Sequence, residues 1–404
     1  MGYFVYSEGD LINETAKKSM SIAHKVLIAI PILFTGGTEL QTLNLVKGLL
    51  SAGYQITICC YYDYDHFMVL KFEATGANVI LMNLKRSDSI FRLMGKLREV
   101  FWKVKPDVVH VQYIAPGLIP IIAAKLSGIK KVFATVHQPG RPYGWKPKIF
   151  IRFASHLCDV FFCNSRSAEE SWFGDSQVFD PKKIGSKRKH FTIYNGVDIE
   201  RIERIGKEVD KGKIKDLLGI RDKKVIGVVG RLRREKGQAT LLESMKTVIQ
   251  ELPDAVLIVV GNGPDRPYLE EMAKKLGIDS HVKWLGEKDH EEVIRLYSIL
   301  DVVVVPSLFE GFGLTAAEAM AAGRPVIASN VDGLTEVIQG GVNGLLVPPG
   351  DIQVLARVIL ELILNPTKAA SMGASAREDI EKKFSLKRFQ SAILAAYANY
   401  TNLD

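Results

Sequence analysis

The stretch Pro306–Ser329 reads PSLFEGFGLTAAEAMAAGRPVIAS and decides the fold that we predict for the chain. It follows an apolar strand, Asp301–Val305, and its glycine-containing loop leads into an alanine-rich helix from about Leu314 to Ala322. A helix start after a strand and a glycine loop binds phosphates, because its first N–H groups lack partners and carry the positive end of the helix dipole. The stretch therefore predicts an anion site in an α/β domain.

Two glutamates flank this predicted anion site. Glu310 precedes the helix and Glu318 lies about one turn inside it, so both side chains can face one ligand. A sugar nucleotide suits this arrangement, because carboxylates accept hydrogen bonds from its hydroxyls while the backbone amides between them hold its diphosphate. The alternative is an ordinary strand–helix unit with two solvated glutamates, and the pair alone does not decide between them.

The pattern Glu310-x7-Glu318 within EGFGLTAAEAMAAGRPVIAS resembles the signature of retaining glycosyltransferases of the GT-B fold, in particular family 4 (glycosyl transferases group 1). The resemblance covers nearly all of the chain from about Lys25 onward. It implies an α/β protein of GT-B fold, with two Rossmann-like domains facing a central cleft. It also implies transfer of a hexose or N-acetylhexosamine from a nucleotide-diphosphate sugar, and we expect a UDP-sugar.

Apolar strand-like runs alternate with helical segments along the chain, which predicts two parallel sheets covered on both faces. We expect an N-terminal extension over residues 1–24, an acceptor-binding Rossmann-like domain over 25–198 and a donor-binding Rossmann-like domain over 223–379. Residues 199–222 are charged and show no clear apolar period, so we expect the interdomain connection there. The resemblance implies that a last helix, within 380–404, crosses back onto the first domain.

Two cations follow the first strand of the second domain. Arg231 and Lys236, within GRLRREKG (Gly230–Gly237), match the family element whose Arg and Lys hold the donor diphosphate. Cleavage of a glycosyl–phosphate bond builds negative charge on the leaving diphosphate, which two cations at a strand exit can stabilise. Cations at a helix start otherwise meet the positive end of the dipole, so an anion-binding role is favoured over a pair of ordinary surface cations.

The resemblance assigns further donor-binding positions residue by residue. Glu318 is expected to accept from the ribose hydroxyls, and Glu310 from hydroxyls of the transferred sugar. The pair Gly36-Gly37 would let the first domain approach the donor phosphates. It does not form GxGxxG, which argues against a nicotinamide-dependent oxidoreductase. Backbone contacts to sugar and phosphate are expected from Phe312, Gly313 and Leu314.

The candidate catalytic residues are His137 and Glu310. His137 follows the predicted strand Lys131–Val136 at a carboxyl strand end, and its place matches the active-site histidine of the family. We expect it to hydrogen-bond the transferred sugar and to help position the acceptor. The resemblance implies a reaction on one face of the sugar in which the leaving phosphate takes the acceptor's proton, so Glu310 need not be a nucleophile.

We expect no cofactor and no essential metal. The sequence Asp63-Tyr64-Asp65 is a DxD, the metal motif of the other major glycosyltransferase fold, but the rest of that architecture is missing around it, so we interpret it as a solvated loop. No apolar run approaches the length of a spanning helix, and the first 24 residues lack the pattern of a secretory signal. The cysteines lack metal spacing and are expected to be buried, reduced thiols, which fits a cytoplasmic protein: Cys59, Cys60, Cys158 and Cys163.

The net charge of +8 comes from the first half of the chain. Residues 1–196 hold 25 Lys and Arg against 15 Asp and Glu, whereas residues 197–404 hold 28 against 30. Basic residues beside apolar ones, as in WKPKIFIRF (Trp145–Phe153) and PKKIGSKRKH (Pro181–His190), can dock on anionic lipid headgroups. This predicts peripheral contact with the inner face of the cell membrane, and a solvated basic face is the alternative. We expect no nucleic-acid partner.

Together these features predict a retaining, metal-independent hexosyltransferase that acts on a glycan or lipid-linked acceptor of envelope polysaccharide or lipopolysaccharide synthesis. The same transfer to a soluble small-molecule acceptor is the alternative. A nucleotide-sugar epimerase or a phosphorylase also stays open, although a phosphorylase would require a pyridoxal phosphate lysine site. A sugar-nucleotide-binding subunit without activity is disfavoured by the complete set of charged residues in the predicted site.

Overall fold

The computed structural model describes residues 24–112, 118–182 and 188–401, and its first domain is built on a seven-stranded parallel sheet. The strands are β1 Lys25–Ile30, β2 Gln55–Cys60, β3 Asn78–Leu81, β4 Val108–Gln112, β5 Lys131–Val136, β6 Val160–Cys163 and β7 His190–Thr192. The helices between them are α1 Gly37–Ser51, α2 His66–Glu73, α3 Ile90–Val104, α4 Leu118–Leu126, α5 Trp145–Leu157 and α6 Arg166–Phe173. The strand order is β3-β2-β1-β4-β5-β6-β7.

A six-stranded parallel sheet forms the second domain. Its helices are α7 Ile199–Glu208, α8 Lys211–Leu217, α9 Gln238–Glu251, α10 Arg266–Leu276, α11 His290–Tyr297, α12 Leu314–Ala321, α13 Leu334–Val337, α14 Ile352–Leu364 and α15 Pro366–Phe384. The last helix, α16 Leu386–Thr401, follows the second domain in the chain but packs on the first. The strands are β8 Lys224–Val229, β9 Ala255–Val260, β10 Val282–Gly286, β11 Val302–Val305, β12 Val326–Ser329 and β13 Leu345–Val347. Their order is β10-β9-β8-β11-β12-β13.

The strands form where the sequence has uninterrupted apolar runs. β11 is four valines, all buried, and every residue of β9 is buried as well. Strands of a parallel sheet are covered by helices on both faces, so both sets of alternating side chains must be apolar. Each sheet accordingly separates two apolar clusters. The predicted fold class, α/β with two Rossmann-like domains around a central cleft, is confirmed.

The segment after the first domain differs from our expectation of a charged connection without an apolar period. Helix α7 buries Ile199, Ile202 and Ile205, and these isoleucines join the apolar cluster of the second domain. Their spacing of three places them on one helix face, while the charged residues between them lie on the other. The overall charge of the segment hid this period. Helix α8 has no fully buried residue, but Ile214 on it packs against the same cluster and Ile220 after it is buried there, so this part of 199–222 also lies on the second domain.

The last helix, α16, belongs to the first domain by its contacts. The chain passes between domains twice at one place, where Val197 N donates to Phe384 O at 2.8 Å and Leu386 N donates to Val197 O at 2.8 Å. Farther along α16, the hydroxyl of Tyr397 lies 2.7 Å from Nδ1 of the buried His110 in β4. The structure therefore places residues 386–401 on the first domain, within the range 380–404 named from the sequence.

Other expectations concern the cysteines, the membrane and the chain ends. All four cysteines are buried and free. Within the described ranges, every helix is too short or too polar to cross a membrane. The expected N-terminal extension lies outside the described residues except for His24, and so do residues 183–187 of the basic segment and 402–404 at the end of the predicted crossing helix.

Candidate active site

The carboxyl ends of the two sheets border a cleft of about 470 Å³ between the domains. This is the place where parallel α/β sheets bind ligands, and the volume suits a small molecule. The structure brings together every residue that we singled out from the sequence, although their roles remain predictions. These cleft-lining residues are Gly36, Gly37, His137, Arg231, Lys236, Glu310, Phe312, Gly313, Leu314 and Glu318.

The start of helix α12 supplies the anion-binding geometry. Gly313 precedes the helix with φ of 92°, a left-handed conformation that favours glycine, and a Cβ there would lie 2.5 Å from Leu334 Cδ2. The N-cap residue of the helix is this glycine, which has no side chain to accept from the first-turn amides. The first-turn amides can therefore serve a bound anion. The Phe312 side chain is buried in the apolar cluster, so only its backbone is available to the cleft.

Lys236 and Glu310 meet across two loops that are distant in sequence. Gly237 follows the 3₁₀ turn Arg234–Lys236 with φ of 68°, and a Cβ on it would lie 1.9 Å from Pro306 O. Because only glycine allows this approach, the two loops lie against each other. As a result, Lys236 Nζ lies 2.6 Å from Glu310 Oε2. The pair is partly exposed, so a bound diphosphate could share the cation with the carboxylate.

Glu318 is held from two sides by residues that the sequence analysis did not single out. Nε2 of His290 lies 2.8 Å from Glu318 Oε1, and the Tyr297 hydroxyl lies 3.4 Å from Glu318 Oε2. Burial raises the pKa of Tyr297, so its hydroxyl stays protonated and acts as a donor. Nothing in the sequence marks either residue as functional, because both belong to α11 and pair with Glu318 only through the fold.

His137 lies one residue beyond β5, at the edge of the cleft. Its Nε2 lies 2.8 Å from Gln112 Oε1, an acceptor, which places the ring proton on Nε2. Burial lowers the pKa of His137 to about 4, so the imidazole is neutral at pH 7. Asn164 Nδ2 donates to the His137 carbonyl oxygen at 3.0 Å. This geometry suits a hydrogen-bonding residue and does not supply a cation.

The two domains touch at the cleft through glycines. A Cβ on Gly311 would lie 2.1 Å from His137 O, and a Cβ on Gly37 would lie 3.0 Å from Leu314 Cδ1. Gly36 lies nearby, where a Cβ would be 3.9 Å from Arg231 Nη2. The glycine pair of the first domain therefore lies beside the predicted anion site.

Polar contacts also bridge the domains. Glu336 accepts hydrogen bonds from Arg166 N at 3.0 Å, from Ser167 N at 2.7 Å and from Ser167 Oγ at 2.6 Å. Arg141 Nε lies 3.2 Å from Asp332 Oδ1. Burial raises the pKa of Asp332, while the Arg141 guanidinium acts in the opposite direction. These contacts stabilise the arrangement in which the cleft walls lie close together.

The DxD sequence serves local structure. Asp65 caps helix α2 by accepting from Phe67 N at 3.0 Å, and Asp63 Oδ2 lies 3.0 Å from Arg86 Nε. Within residues 24–112, 118–182 and 188–401, no three His, Cys, Asp or Glu side chains come together in a way that could hold a metal ion.

Comparisons with known proteins agree with this geometry. Residues 35–201 match the family model described as Glycosyltransferase Family 4, and residues 210–379 match Glycosyl transferases group 1. Together the two matches span well over half of the chain. The protein therefore has both parts of a GT-B glycosyltransferase, and it belongs to glycosyltransferase family 4 (glycosyl transferases group 1).

Individual relatives and a solved structure are similar over different lengths. D-inositol 3-phosphate glycosyltransferase of Corynebacterium urealyticum is 39% identical over 49% of each chain, so the match spans about half the length of that relative. N-acetyl-alpha-D-glucosaminyl L-malate synthase of Bacillus anthracis is 29% identical over 76% of this chain and 78% of the relative. Anabaena HepE, solved in complex with UDP and glucose, superposes with a TM-score of 0.78 at 22% identity, covering 92% of this chain and 99% of HepE.

Proposed function

We propose that the protein is a retaining, metal-independent glycosyltransferase that moves a hexose or N-acetylhexosamine from a nucleotide-diphosphate sugar, expected to be a UDP-sugar. The observation that carries the proposal is the composition of one cleft. Arg231, Lys236 and an uncapped helix start provide positive charge, while Glu310 and Glu318 provide acceptors for hydroxyls within the same cavity. A ligand that combines a diphosphate with two sugars fits both kinds of group.

The second domain would bind the donor. Arg231, Lys236 and the amides of α12 would hold the diphosphate and stabilise the charge that develops on it as the glycosyl bond breaks. These groups supply the positive charge that a divalent metal provides in other enzymes, which supports independence from metal. Glu318 would accept from the ribose and Glu310 from the transferred sugar.

In the reaction, the acceptor hydroxyl forms a bond to the anomeric carbon as the bond from that carbon to the diphosphate oxygen breaks. The leaving diphosphate takes the proton of the acceptor hydroxyl, on the same face of the sugar, so the anomeric configuration is retained. The neutral imidazole of His137 would hydrogen-bond the transferred sugar and help orient the acceptor. Glu310 would position the sugar through its hydroxyls, without a covalent intermediate.

The surface of helix α5 supports a lipid-linked acceptor. The loop that carries His137 leads into this helix, and four large apolar side chains on it are more than half exposed: Trp145, Ile149, Phe150 and Phe153. Lys146 is exposed as well, and the opposite face, with Ile151 and Ala154, is buried. An exposed apolar helix face beside cations is typical of helices that lie in the interface of an anionic membrane. We therefore propose peripheral binding to the cytoplasmic membrane surface and an acceptor of envelope polysaccharide or lipopolysaccharide synthesis.

A soluble acceptor is the second candidate. The names of the two relatives state inositol phosphate and malate as acceptors, and both are soluble molecules. The same cleft would perform the same transfer in that case, and only the route by which the acceptor enters would differ.

A nucleotide-sugar epimerase is the remaining alternative. Such an enzyme would release an epimerised nucleotide sugar in the absence of any acceptor, and an assay of the free nucleotide sugars would detect this product directly.

The donor site is tested by ligand-induced stabilisation. We expect one base class among UDP-, GDP- and ADP-sugars to raise the melting temperature of the wild type in the presence of EDTA, because a ligand that binds only the folded state stabilises it. Glu318→Ala should lose most of this shift, while exposed Tyr268→Ala, outside the cleft, should keep it. A shift that requires a divalent metal would contradict metal independence, and an unchanged shift in Glu318→Ala would contradict the placement of the ribose.

The membrane surface is tested by a double substitution on α5. Phe150→Ser with Phe153→Ser should weaken binding to phosphatidylglycerol-containing vesicles by at least roughly tenfold in a co-sedimentation assay, because two exposed rings lose their burial in the interface. Leu364→Ser, at an equally exposed apolar position of the second domain, should bind as the wild type does. Equal binding of the double variant and the wild type would favour the soluble acceptor.

A further inference from the structure

His290 and Glu318 form a pair on the wall of the cleft. Their side chains are 15% and 14% exposed, and the distance from His290 Nε2 to Glu318 Oε1 is 2.8 Å. The second carboxylate oxygen lies 3.4 Å from the hydroxyl of the fully buried Tyr297. Each oxygen of Glu318 therefore has one protein neighbour that can donate, and each keeps lone-pair capacity for a ligand hydroxyl.

The backbone of His290 is fixed independently of Glu318. His290 is the first residue of α11, and a reciprocal capping box holds this helix start. Glu292 N donates to Asp289 Oδ1 at 2.8 Å, and Asp289 N donates to Glu292 Oε2 at 3.0 Å. The imidazole thus projects from a rigid point, so it can determine where the carboxylate lies.

The second ring nitrogen indicates which nitrogen of His290 carries the proton. Nδ1 is buried and has no hydrogen-bond partner among the described residues. A proton on Nδ1 would be a buried donor without an acceptor, which is unfavourable, whereas a proton on Nε2 faces the Glu318 carboxylate. His290 is therefore a directed donor to one oxygen of Glu318.

We propose that His290 is a positioning residue for ribose recognition: by donating to Glu318 Oε1 it holds the carboxylate in the orientation that accepts the 2′- and 3′-hydroxyls of the donor nucleotide. The inference rests on the proposed function, in which Glu318 binds the ribose. A carboxylate held in this orientation should bind ribonucleoside diphosphates more tightly than analogues that lack the 2′- and 3′-hydroxyls. The inference therefore narrows the expected ligands to ribonucleotides. A carboxylate free to rotate would select less strongly, since ordering it would oppose binding.

The test compares affinities for UDP and 2′,3′-dideoxy-UDP, with GDP and its dideoxy analogue in parallel, by titration calorimetry. The wild type should prefer the ribonucleotide by roughly 10- to 100-fold, as expected for two hydrogen bonds to a carboxylate. His290→Gln places an amide nitrogen near the position of Nε2 and should keep the preference within about twofold. His290→Asn is too short to reach Glu318 and should reduce the preference by at least about fivefold.

Two further variants separate the possible results. Glu318→Ala should abolish the preference, and His66→Asn should leave it unchanged, because His66 is the exposed first residue of another Asp-capped helix, α2, outside the cleft. If Glu318→Ala abolishes the preference while His290→Asn retains it in full, the inference about His290 is wrong and the donor site stands. If Glu318→Ala retains the preference, or no nucleotide binds, the proposed donor site is wrong and the inference fails with it. A melting temperature equal to that of the wild type confirms that each variant is folded.

Discussion

Arg231→Ala and Lys236→Ala are each expected to lower kcat/KM for sugar transfer by roughly 10²- to 10³-fold, the loss typical of removing one preorganised group that stabilises transition-state charge. Both side chains line the cleft at the exit of β8. The negative charge on the diphosphate grows as the glycosyl bond breaks, so each cation contributes more in the transition state than in the bound donor. The effect should therefore fall mainly on kcat.

Initial rates with saturating acceptor would measure this loss. Arg234→Ala is the matched control, since Arg234 is an exposed cation of the same loop that does not line the cleft, and its rate should stay within about twofold of the wild type. Arg231 is exposed, so its removal should leave the melting temperature unchanged. If both cleft variants kept more than half of the wild-type rate, the diphosphate would have to bind elsewhere.

Gly311→Ala should reduce turnover by roughly 100-fold while both domains stay folded. The added Cβ would lie 2.1 Å from the carbonyl oxygen of His137, so the domains must move apart at the point where the cleft closes. A displacement of about 1 Å between groups that must act together costs a factor of this size. Because the collision lies between the domains, their separate cores are not affected.

Gly340→Ala provides the comparison for this substitution. A Cβ at Gly340 would meet only Leu346 atoms at 3.8 Å or more, an ordinary contact within the second domain, so this variant should keep the wild-type rate. Small-angle scattering should show a more open average shape for Gly311→Ala than for Gly340→Ala. An active Gly311→Ala protein would mean that the reaction does not require the contact between Gly311 and His137.

The sequence predicted the sheets well, because strands of parallel sheets are continuous apolar runs. Strand β5 has the same bounds in the structure as in the prediction, Lys131–Val136, and helix α12 begins at the predicted Leu314. Helix α5 was not predicted, because basic and aromatic side chains on its exposed face hide the apolar period. Helix α7 was missed because charged residues lie between its three buried isoleucines, which carry the signal.

The part of the candidate site that lies within one short motif could be predicted from the sequence. Glu310, Gly313 and Glu318 lie within one loop and helix, so the spacing alone places them together. Lys236 and Glu310 meet because two loops pack against each other. No spacing in the sequence predicts this packing, and only the family resemblance placed both residues in one site. His290 could not be found, because its pairing with Glu318 depends on how α11 lies beside α12 rather than on any spacing in the chain.

The return of α16 to the first domain changes where the protein can be divided. A cut at the first crossing alone would separate Tyr397 from His110 and uncover the apolar surface that Ile393 covers. Exchange of the second domain between relatives therefore requires two junctions, one near Val197 and one near Ser385, which already lie side by side as bridge partners. The transferable unit is the stretch between them, and the final sixteen-residue helix should remain with the first domain.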